Sequence, residues 1–403
     1  MIPLRHNRDF VLLQAGQLLS NLGTASTTIA YPLLVLALTH SPAKAGVVGF
    51  ARAAPLAVLQ IPAGIAADRF DRKWLMIAAD FVRAVAIGSL VLAIATGHAS
   101  FAVIPIVALV EGMGDAIFAA AQPGALRSVV PTQQLPDAAT TQTGRSAAVD
   151  LVGPPVGGAL FGIARSLPFF ADVVSYALST GSLLLMRTPF QEERERQTTT
   201  VTSRMREGFR FLWTQPFLRT TTLLFGLGNF IGPGLLLAIV VIAKRQGVTP
   251  AVIGALTAAF GAAIVVGAIL SGFVRRRLPP RTTLLLEFWA GVSIFIFLLW
   301  PNVYVLVVAV LPTAFVIPSS NAIVHGYRIA MTPDALLGRS ESIRMAISLA
   351  IAPIGPLAAG FMLDATSARA TVALFGGVAL ALAVSGTFSR ALRDIPSLED
   401  LEP

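Results

Sequence analysis

The sequence predicts an all-α membrane protein whose twelve transmembrane helices form two pseudo-symmetric six-helix bundles. Of the 403 residues, 55% are hydrophobic and 13% are charged, whereas soluble globular domains carry about 25% charged residues. The apolar residues are gathered into twelve segments, each close to the roughly 20 residues that cross a bilayer as a helix. One long polar stretch near the middle separates the first six segments from the last six.

The twelve predicted spans, numbered in chain order, are separated by turn-forming residues such as THSPAK and ATGHAS. They lie at 10–38, 44–66, 74–96, 101–121, 143–165, 167–187, 217–243, 251–274, 281–300, 302–324, 341–363 and 366–389. We therefore expect an N-terminal six-helix bundle over 1–187 and a cytoplasmic central loop over 188–216. A C-terminal bundle with a short cytoplasmic tail is expected over 217–403.

The central loop contains an amphipathic stretch, SRMREGFRFLW. Helical spacing puts Met205, Phe209 and Leu212 on one face, which predicts a helix lying on the inner membrane surface. A solvated linker is the alternative for this polar segment.

Charge patterning predicts the orientation of the spans. The net charge is +9, and most of the 30 lysines and arginines lie in segments that are cytoplasmic if the N-terminus is inside. Cytoplasmic loops attract such residues, so both termini are expected on the cytoplasmic side of the membrane. This topology accounts for the net positive charge of the chain. The expected partner is therefore the lipid bilayer, and no nucleic acid is expected.

Several chemical classes are disfavoured by what the sequence lacks. It has no cysteine, and its four histidines are far apart without metal-ligand spacing. It also contains no HExxH, GxSxG or phosphate-binding loop motif. We expect neither a metal site nor an enzyme. A membrane-embedded enzyme using Glu111 and Asp115, or a non-transporting receptor, are the alternatives.

The two halves of the chain carry related motifs at matching positions. Span 5 contains LVGPPVGGAL and span 11 contains IAPIGPLAAGFM, so each half places Gly-Pro followed by small residues in its fifth helix. Span 7 has GLGNFIGPG where span 1 has SNLGTASTT. Two parallel repeats with a central binding site are typical of secondary transporters. Chance similarity between helices rich in small residues is the alternative.

Two motifs give the chain a family resemblance. The loop GIAADRFDRK between spans 2 and 3 resembles the signature of the major facilitator superfamily, with Gly64, Asp68, Arg69, Arg72 and Lys73 at the matching positions. In span 5, GPPVGG resembles the superfamily's antiporter motif through Gly153, Pro154, Pro155, Gly157 and Gly158. Val149 stands where that motif has a further glycine. The arginine motif of span 4 is missing, because Ala108 occupies its position.

The resemblance points to a particular branch and mode of action. ADRFDRK, AADFVRA and VVPTQQLPDA look like the branch that contains macrolide and siderophore exporters. The resemblance implies a monomer in the inner membrane of a bacterium that exports small amphiphilic compounds by proton antiport and alternating access. The proton gradient is then the energy source and no cofactor is needed. Export of an endogenous siderophore or secondary metabolite is the main alternative, and nutrient uptake is a weaker one.

A polar stripe runs along span 1. Gln14, Gln17, Asn21, Thr24, Thr28 and Tyr31 follow one another at spacings of three and four residues, which places them on one helix face. In a bilayer such a face must meet protein or a water-filled cavity. By resemblance span 1 lines the central cavity, so the candidate cavity residues are Asn21, Thr24, Thr28 and Tyr31, with Asn229 from span 7. Hydrogen bonding between helices is the alternative.

Two acids stand out within the spans. Glu111 and Asp115 are one turn apart near the middle of span 4, and no basic residue lies within a turn of either. A carboxylate in an apolar span either pairs with a cation or takes up a proton. Proton coupling needs a carboxylate that does the latter, so Glu111, Asp115 and Asp150 are the candidate proton carriers, in that order. Pairing of Glu111 or Asp115 with distant Arg52 or Arg145 is the alternative.

The other charged residues within the spans are expected to have structural roles. Asp80 and Arg83 are three residues apart and are expected to pair. Asp172 and Asp364 fall near predicted outer helix ends and are expected to be hydrated. Arg52 is expected to extend to the outer interface, with pairing to Asp172 or Asp364 as the alternative.

The charged loop after span 2 is predicted to act as a latch. By resemblance Asp68 faces the start of span 11, where the helix dipole attracts a carboxylate. Arg69 or Arg72 would complete a small charge network when the inner gate is closed. The same resemblance places GPPVGG against span 8, where Gly254 permits close approach.

Overall fold

The computed structural model describes residues 3–190 and 201–395 of the chain. Within these ranges the secondary structure is helical and contains no strand. Twelve helical segments of the described chain are long and apolar enough to cross a membrane, which confirms the predicted fold class. The predicted central loop and tail fall partly on 191–200 and 396–403, which lie outside the described residues.

The first six spans are six continuous helices. They are α1 (Arg8–Thr39), α2 (Pro42–Arg69), α3 (Arg72–Ala95), α4 (Val103–Val129), α5 (Leu135–Ile163) and α6 (Leu167–Leu185). Several begin at a capping side chain: Asn7 accepts a hydrogen bond from the Phe10 amide of α1, and Ser41 accepts one from the Lys44 amide of α2.

The later spans include two that are interrupted. The helices are α7 (Val201–Thr214), α8 (Pro216–Arg245), α9 (Pro250–Arg277), α10 (Pro280–Gly291), α11 (Ile296–Leu299), α12 (Val303–Met331), α13 (Asp334–Ile351), α14 (Ile354–Ala365), α15 (Ala368–Phe388) and α16 (Arg390–Arg393). Span 9 is α10 and α11 joined by a 3-10 turn, Val292–Phe295. Span 11 is α13 followed by α14, and the break lies at Pro353, because proline removes a backbone donor.

The chain divides into two compact units. One comprises Met1–Arg194 with Ala243–Ala258, and the other comprises Glu195–Ile242 with Ala259–Pro403. The end of α8 and the start of α9 therefore belong with the first unit. The predicted division at 187 and 217 into two bundles and a loop stays a prediction.

Close helix approach organises the first unit. α1 is at its centre, and small residues let α6 approach it: a Cβ added at Gly23 would collide with the side chains of Ser175 and Asp172. At the end of the unit that holds the start of α1, Phe10, Leu13, Met76 and Phe190 belong to one buried apolar cluster.

The second unit has its own apolar core. Leu212, Phe217, Leu284 and Tyr327 are buried together there. Leu212 of α7 is therefore inside the unit, whereas Phe209 of the same helix is exposed. The expectation that these two residues share one membrane-facing side is wrong.

The charged loop between α2 and α3 contacts the ends of several helices of the first unit. Asp71 caps α3 by accepting hydrogen bonds from the amides of Lys73 (2.8 Å) and Trp74 (3.1 Å). The Lys73 Nζ donates to the Met186 carbonyl at 2.7 Å, just after α6. Arg72 Nε donates to the Ala67 carbonyl of α2 at 3.1 Å. Arg72 and Lys73 thus bind the carbonyls at two helix C-termini, in addition to any role in orientation.

Candidate functional site

Buried charges gather in the first unit, on α2, α3, α4 and α6. Asp80, Glu111 and Asp172 each have a relative exposure of 0%. Arg52 and Arg83 lie among them. Charges in a membrane span are costly and normally mark functional sites, so this group is the candidate functional site. We call Arg52, Asp80, Arg83, Glu111, Asp115 and Asp172 the charge cluster.

Glu111 is held by a guanidinium and a phenol. Arg52 reaches its Oε1 with Nη2 at 2.8 Å and Nε at 3.1 Å, and the Tyr31 hydroxyl donates to Oε2 at 2.7 Å. Arg52 also lies over the Tyr31 ring, 5.5 Å from its centroid. The expected extension of Arg52 to the outer interface is wrong, because Glu111 offers it a buried counter-ion.

Arg83 is shared by two carboxylates. It bonds Asp80 on its own helix and Asp115 on α4, so the local pair of Asp80 and Arg83 is confirmed. Its guanidinium also lies 4.4 Å from the centroid of the Tyr176 ring. Asp115 keeps 35% of its side chain exposed, which makes it the most exposed carboxylate of the cluster.

Asp172 occupies a different environment. It accepts hydrogen bonds from the Thr27 hydroxyl at 3.5 Å and the Ser175 hydroxyl at 3.1 Å. It was expected to be hydrated near an outer helix end. That expectation is wrong, because Gly23 lets α1 cover it completely.

The polar stripe of α1 bonds neighbouring helices. The Thr24 hydroxyl lies 2.9 Å from the Tyr176 hydroxyl, and Thr28 accepts a hydrogen bond from Arg52 at 2.8 Å. Nearer the start of α1, the side-chain oxygens of Gln14 and Gln17 accept hydrogen bonds from Arg145 of α5. Hydrogen bonding between helices is therefore present along the stripe.

The other cavity candidates differ in surroundings. Asn21, like Thr24 and Thr28, is partly exposed, whereas Tyr31 is buried. Asn229 is exposed on α8 and donates to the Ser348 carbonyl at 3.3 Å. Asp150 is exposed on α5, apart from the charge cluster. That these residues contact substrate or protons stays a prediction.

The GPPVGG motif seats two helices within the first unit. A Cβ added at Gly153 would collide with Ala25 of α1, and one at Gly157 would collide with the Ser26 backbone. On the other side, a Cβ at Gly158 would lie 3.1 Å from the Gly254 Cα of α9. Pro154 and Pro155 lie between these contacts and remove two backbone donors from α5.

The signature loop shows one local ion pair. Asp68 is exposed and lies 3.4 Å from Arg72, and Arg69 lies over the Phe70 ring at 5.7 Å. Gly64 is surrounded by open space among the described residues. The latch role of Gly64, Asp68, Arg69, Arg72 and Lys73 stays a prediction.

Sequence reasoning left the partner of Glu111 open and missed one neighbour of the cluster, Tyr176. The alternative that Glu111 pairs with Arg52 is confirmed, although the two residues are 59 positions apart and no local spacing reveals their pairing. Tyr176 could have been found from the sequence, because a tyrosine that shares a span with the acid Asp172 is a candidate hydrogen-bond partner for buried polar groups. Among the described residues, no group of three or more potential ligands is arranged to hold a metal ion.

Comparison with known proteins identifies relatives over the whole chain. The sequence profile of the family described as transmembrane secretion effector matches residues 1–402. The multidrug efflux pump Tap of Mycolicibacterium fortuitum is 25% identical over 400 residues, covering 96% of each chain. The uncharacterized MFS-type transporter YfiS of Bacillus subtilis (strain 168) is 28% identical over 71% of this chain and 68% of its own.

Solved structures match the fold. A bacterial homologue of the human lysosomal transporter Spinster superposes with a TM-score of 0.70 at 16% identity, over 96% of each chain. A D-xylose–proton symporter gives a TM-score of 0.71 at 14% identity, over 96% of this chain and 98% of that one. At such identities the likeness concerns the fold alone.

Proposed function

This chain belongs to the transmembrane secretion effector family of the major facilitator superfamily, and on that premise we propose that it exports small amphiphilic compounds by proton antiport. Its relatives in sequence and fold are transporters. The similarity to Tap along nearly the whole chain favours drug-like substrates over an endogenous siderophore or secondary metabolite.

The charge cluster is the observation that carries the proton coupling. Three fully buried carboxylates and two guanidinium groups lie within the spans of the first unit. A transporter coupled to protons needs carboxylates whose proton affinity changes during the cycle, and exchange of ion-pair partners provides such a change. Glu111 and Asp115 remain our candidate proton carriers, now as members of this cluster, and Asp150 as an exposed one.

Alternating access is supported by the repeat and the two compact units. The substrate path would be lined by Asn21, Thr24, Thr28, Tyr31 and Asn229. The close helix contacts of the GPPVGG motif would limit leakage of protons and solutes through the protein. Asp68 would latch the closed inner gate. The chain would act as a monomer in the inner membrane of a bacterium with both termini cytoplasmic.

An accumulation panel tests the export activity. Cells with and without the chain are loaded with ethidium, a macrolide and an uncharged dye, and retention is followed before and after a protonophore. We expect lower retention of at least one amphiphile in cells that hold the chain, and loss of the difference once the protonophore collapses the proton gradient. Equal retention of all probes would contradict amphiphile export, and a difference that survives the protonophore would contradict proton coupling.

A further inference from the structure

The buried members of the charge cluster do not balance in charge. Asp80, Glu111 and Asp172 are completely buried, and Arg52 and Arg83 are the two guanidinium groups beside them. Asp115 is partly exposed and can be hydrated. Arginine stays protonated in proteins, and an uncompensated charge inside a bilayer is costly. The buried set is therefore neutral only when one of its three carboxylates holds a proton.

The ion pairs indicate which carboxylate that is. Arg52 binds Glu111 through two nitrogens, and Arg83 binds Asp80. Asp172 is the buried carboxylate that makes no ion pair with any residue in the described part of the chain. The titratable and charged groups that face it across α1, α2, α3, α4 and α6 are Tyr31, Arg52, Arg83, Glu111 and Tyr176.

The hydrogen bonds to Asp172 agree with a neutral carboxyl. The Thr27 hydroxyl lies 3.5 Å from Asp172 Oδ2 but only 2.9 Å from the Thr24 carbonyl. The Ser175 hydroxyl lies 3.1 Å from Asp172 Oδ1 but 2.7 Å from the Asp172 main-chain carbonyl. Each hydroxyl has one proton and a closer acceptor than the carboxylate. An ionised Asp172 would therefore be poorly stabilised here.

We propose that Asp172 binds the transported proton and alternates with Glu111 as the partner of Arg52. The inference rests on the proton antiport proposed above. Thr27 lies between the two positions, because its hydroxyl also accepts a hydrogen bond from Arg52 Nη2 at 3.3 Å. Arg52 thus needs to move only past one hydroxyl to reach Asp172.

The two states hold the same number of protons. In the present state Asp172 is a neutral acid, and Glu111 is a carboxylate bound to Arg52. When the O–H bond of Asp172 breaks, its proton passes to water on the inner side, and the new carboxylate draws Arg52 to itself. Glu111 loses its counter-ion and takes up a proton from water on the outer side at its own carboxylate. The cycle closes when this proton passes from Glu111 to Asp172 and Arg52 returns to Glu111. One proton therefore occupies the buried set in either state, and Arg52 follows the charge.

Infrared difference spectroscopy on the purified full-length chain tests the protonation directly. The measurement uses a Glu287→Gln background, because Glu287 is a carboxyl of another span with a buried oxygen that has no hydrogen bond among the described residues. In this background the carbonyl stretch of a protonated carboxylic acid is expected at neutral pH, and it is expected to vanish when Asp172→Asn is added. Asparagine resembles the neutral acid in size and charge, so the Arg52–Glu111 pair should persist in that variant. Asp115→Asn, a matched change at the partly exposed carboxylate of the cluster, should keep the band.

Transport in liposomes tests the coupling. Asp172→Asn should lose proton-driven ethidium efflux while keeping ethidium exchange without a gradient. Thr27→Val, which retains both carboxyls, should keep the infrared band and slow proton-driven efflux, and Thr27→Ser should restore the rate. A band that survives Asp172→Asn in the Glu287→Gln background, or proton-driven efflux at the unsubstituted rate in Asp172→Asn, would overturn the assignment.

The outcomes separate this inference from the proposed function. If the unsubstituted chain exports ethidium without using a proton gradient, the proposed antiport fails whatever the band does. If the unsubstituted chain is proton-coupled and Asp172→Asn is equally coupled, the antiport stands and the role of Asp172 fails.

Discussion

Single residues on α4 decide how the charge cluster is assembled. Gly112 follows Glu111, and a Cβ there would collide with the Arg52 carbonyl. Gly114 precedes Asp115, and a Cβ there would lie 2.5 Å from the Arg83 Cγ. These two glycines let α2 and α3 come close enough for their arginines to reach the acids of α4.

Glu111 is the residue whose substitution should uncouple transport. In Glu111→Gln the proton can no longer pass between two carboxylates, although Arg52 still has Asp172 within reach through Thr27. We expect proton-driven ethidium efflux in liposomes to fall to the level of protein-free liposomes, with gradient-free exchange retained.

Glu287 provides the matched control for that substitution. It is a carboxylate of α10 in the second unit and interacts with Ser320. Glu287→Gln makes the same chemical change in a span outside the charge cluster and should leave proton-driven efflux unchanged. Equal loss of efflux in the two variants, or full efflux in Glu111→Gln, would refute the role of Glu111.

Among single residues, the sequence predicts local pairs and leaves the choice of distant partners open. Asp80 and Arg83 were predictable because three residues separate them on one helix. The partner of Glu111 comes from another helix, and its position depends on how closely α2 approaches α4. The burial of Asp172 depends on Gly23 of α1, whose contact with α6 no local pattern encodes.

Among the helices, α1 and α5 combine two tasks. The stripe on α1 bonds α2, α4, α5 and α6, yet Thr24 and Thr28 keep part of their surface exposed. The GPPVGG motif of α5 seats α1 and α9 on different sides. Helix contact and a substrate path are therefore compatible uses of the same elements.

The short helix α7 presents an aromatic and basic surface. Phe209 and Trp213 stack at 5.0 Å and remain 44% and 39% exposed. Arg206 and Arg210 are exposed on the same helix. On its other side Glu207 pairs with Arg339 of α13. Aromatic and basic residues together suit the boundary of an anionic leaflet. If α7 lies on the membrane surface as predicted, Phe209 and Trp213 are therefore the residues expected to enter the membrane, and Leu212 is not.

Fluorescence quenching tests the placement of α7. In liposomes with brominated phosphatidylglycerol, we expect quenching of tryptophan emission to decrease in Trp213→Phe, because Trp213 is inserted at the headgroup level. Iodide in the aqueous phase should quench Trp213 weakly. The opposite pattern, strong quenching by iodide and none by brominated lipid, would show a solvated linker. Trp300→Phe, at an exposed tryptophan after α11, is the matched substitution.

Apolar length predicts the spans better than it predicts helix ends. α5 begins at Leu135 although its apolar segment begins near 143, because a helix can continue into polar surroundings beyond the bilayer. Spans 9 and 11 are each interrupted. Pro353 was visible in the sequence, but the 3-10 turn at Val292–Phe295 has no comparable signal.

For the whole molecule, the repeat and family membership agree on a twelve-span transporter. The inner-membrane orientation, the monomeric state and the Asp68 latch were predicted from charge and resemblance, and they stay predictions. The central claim is that the charge cluster couples an inward proton to an outward amphiphile.

Simultaneous recording of ethidium and proton movement in liposomes tests that claim most directly. The unsubstituted chain is reconstituted with a pH-sensitive dye inside, and an ethidium gradient is imposed without a pH gradient. The account predicts that ethidium leaving one side drives protons in the opposite direction, and that Asp172→Asn abolishes this proton movement. Ethidium movement through the unsubstituted chain with no accompanying proton movement would contradict it.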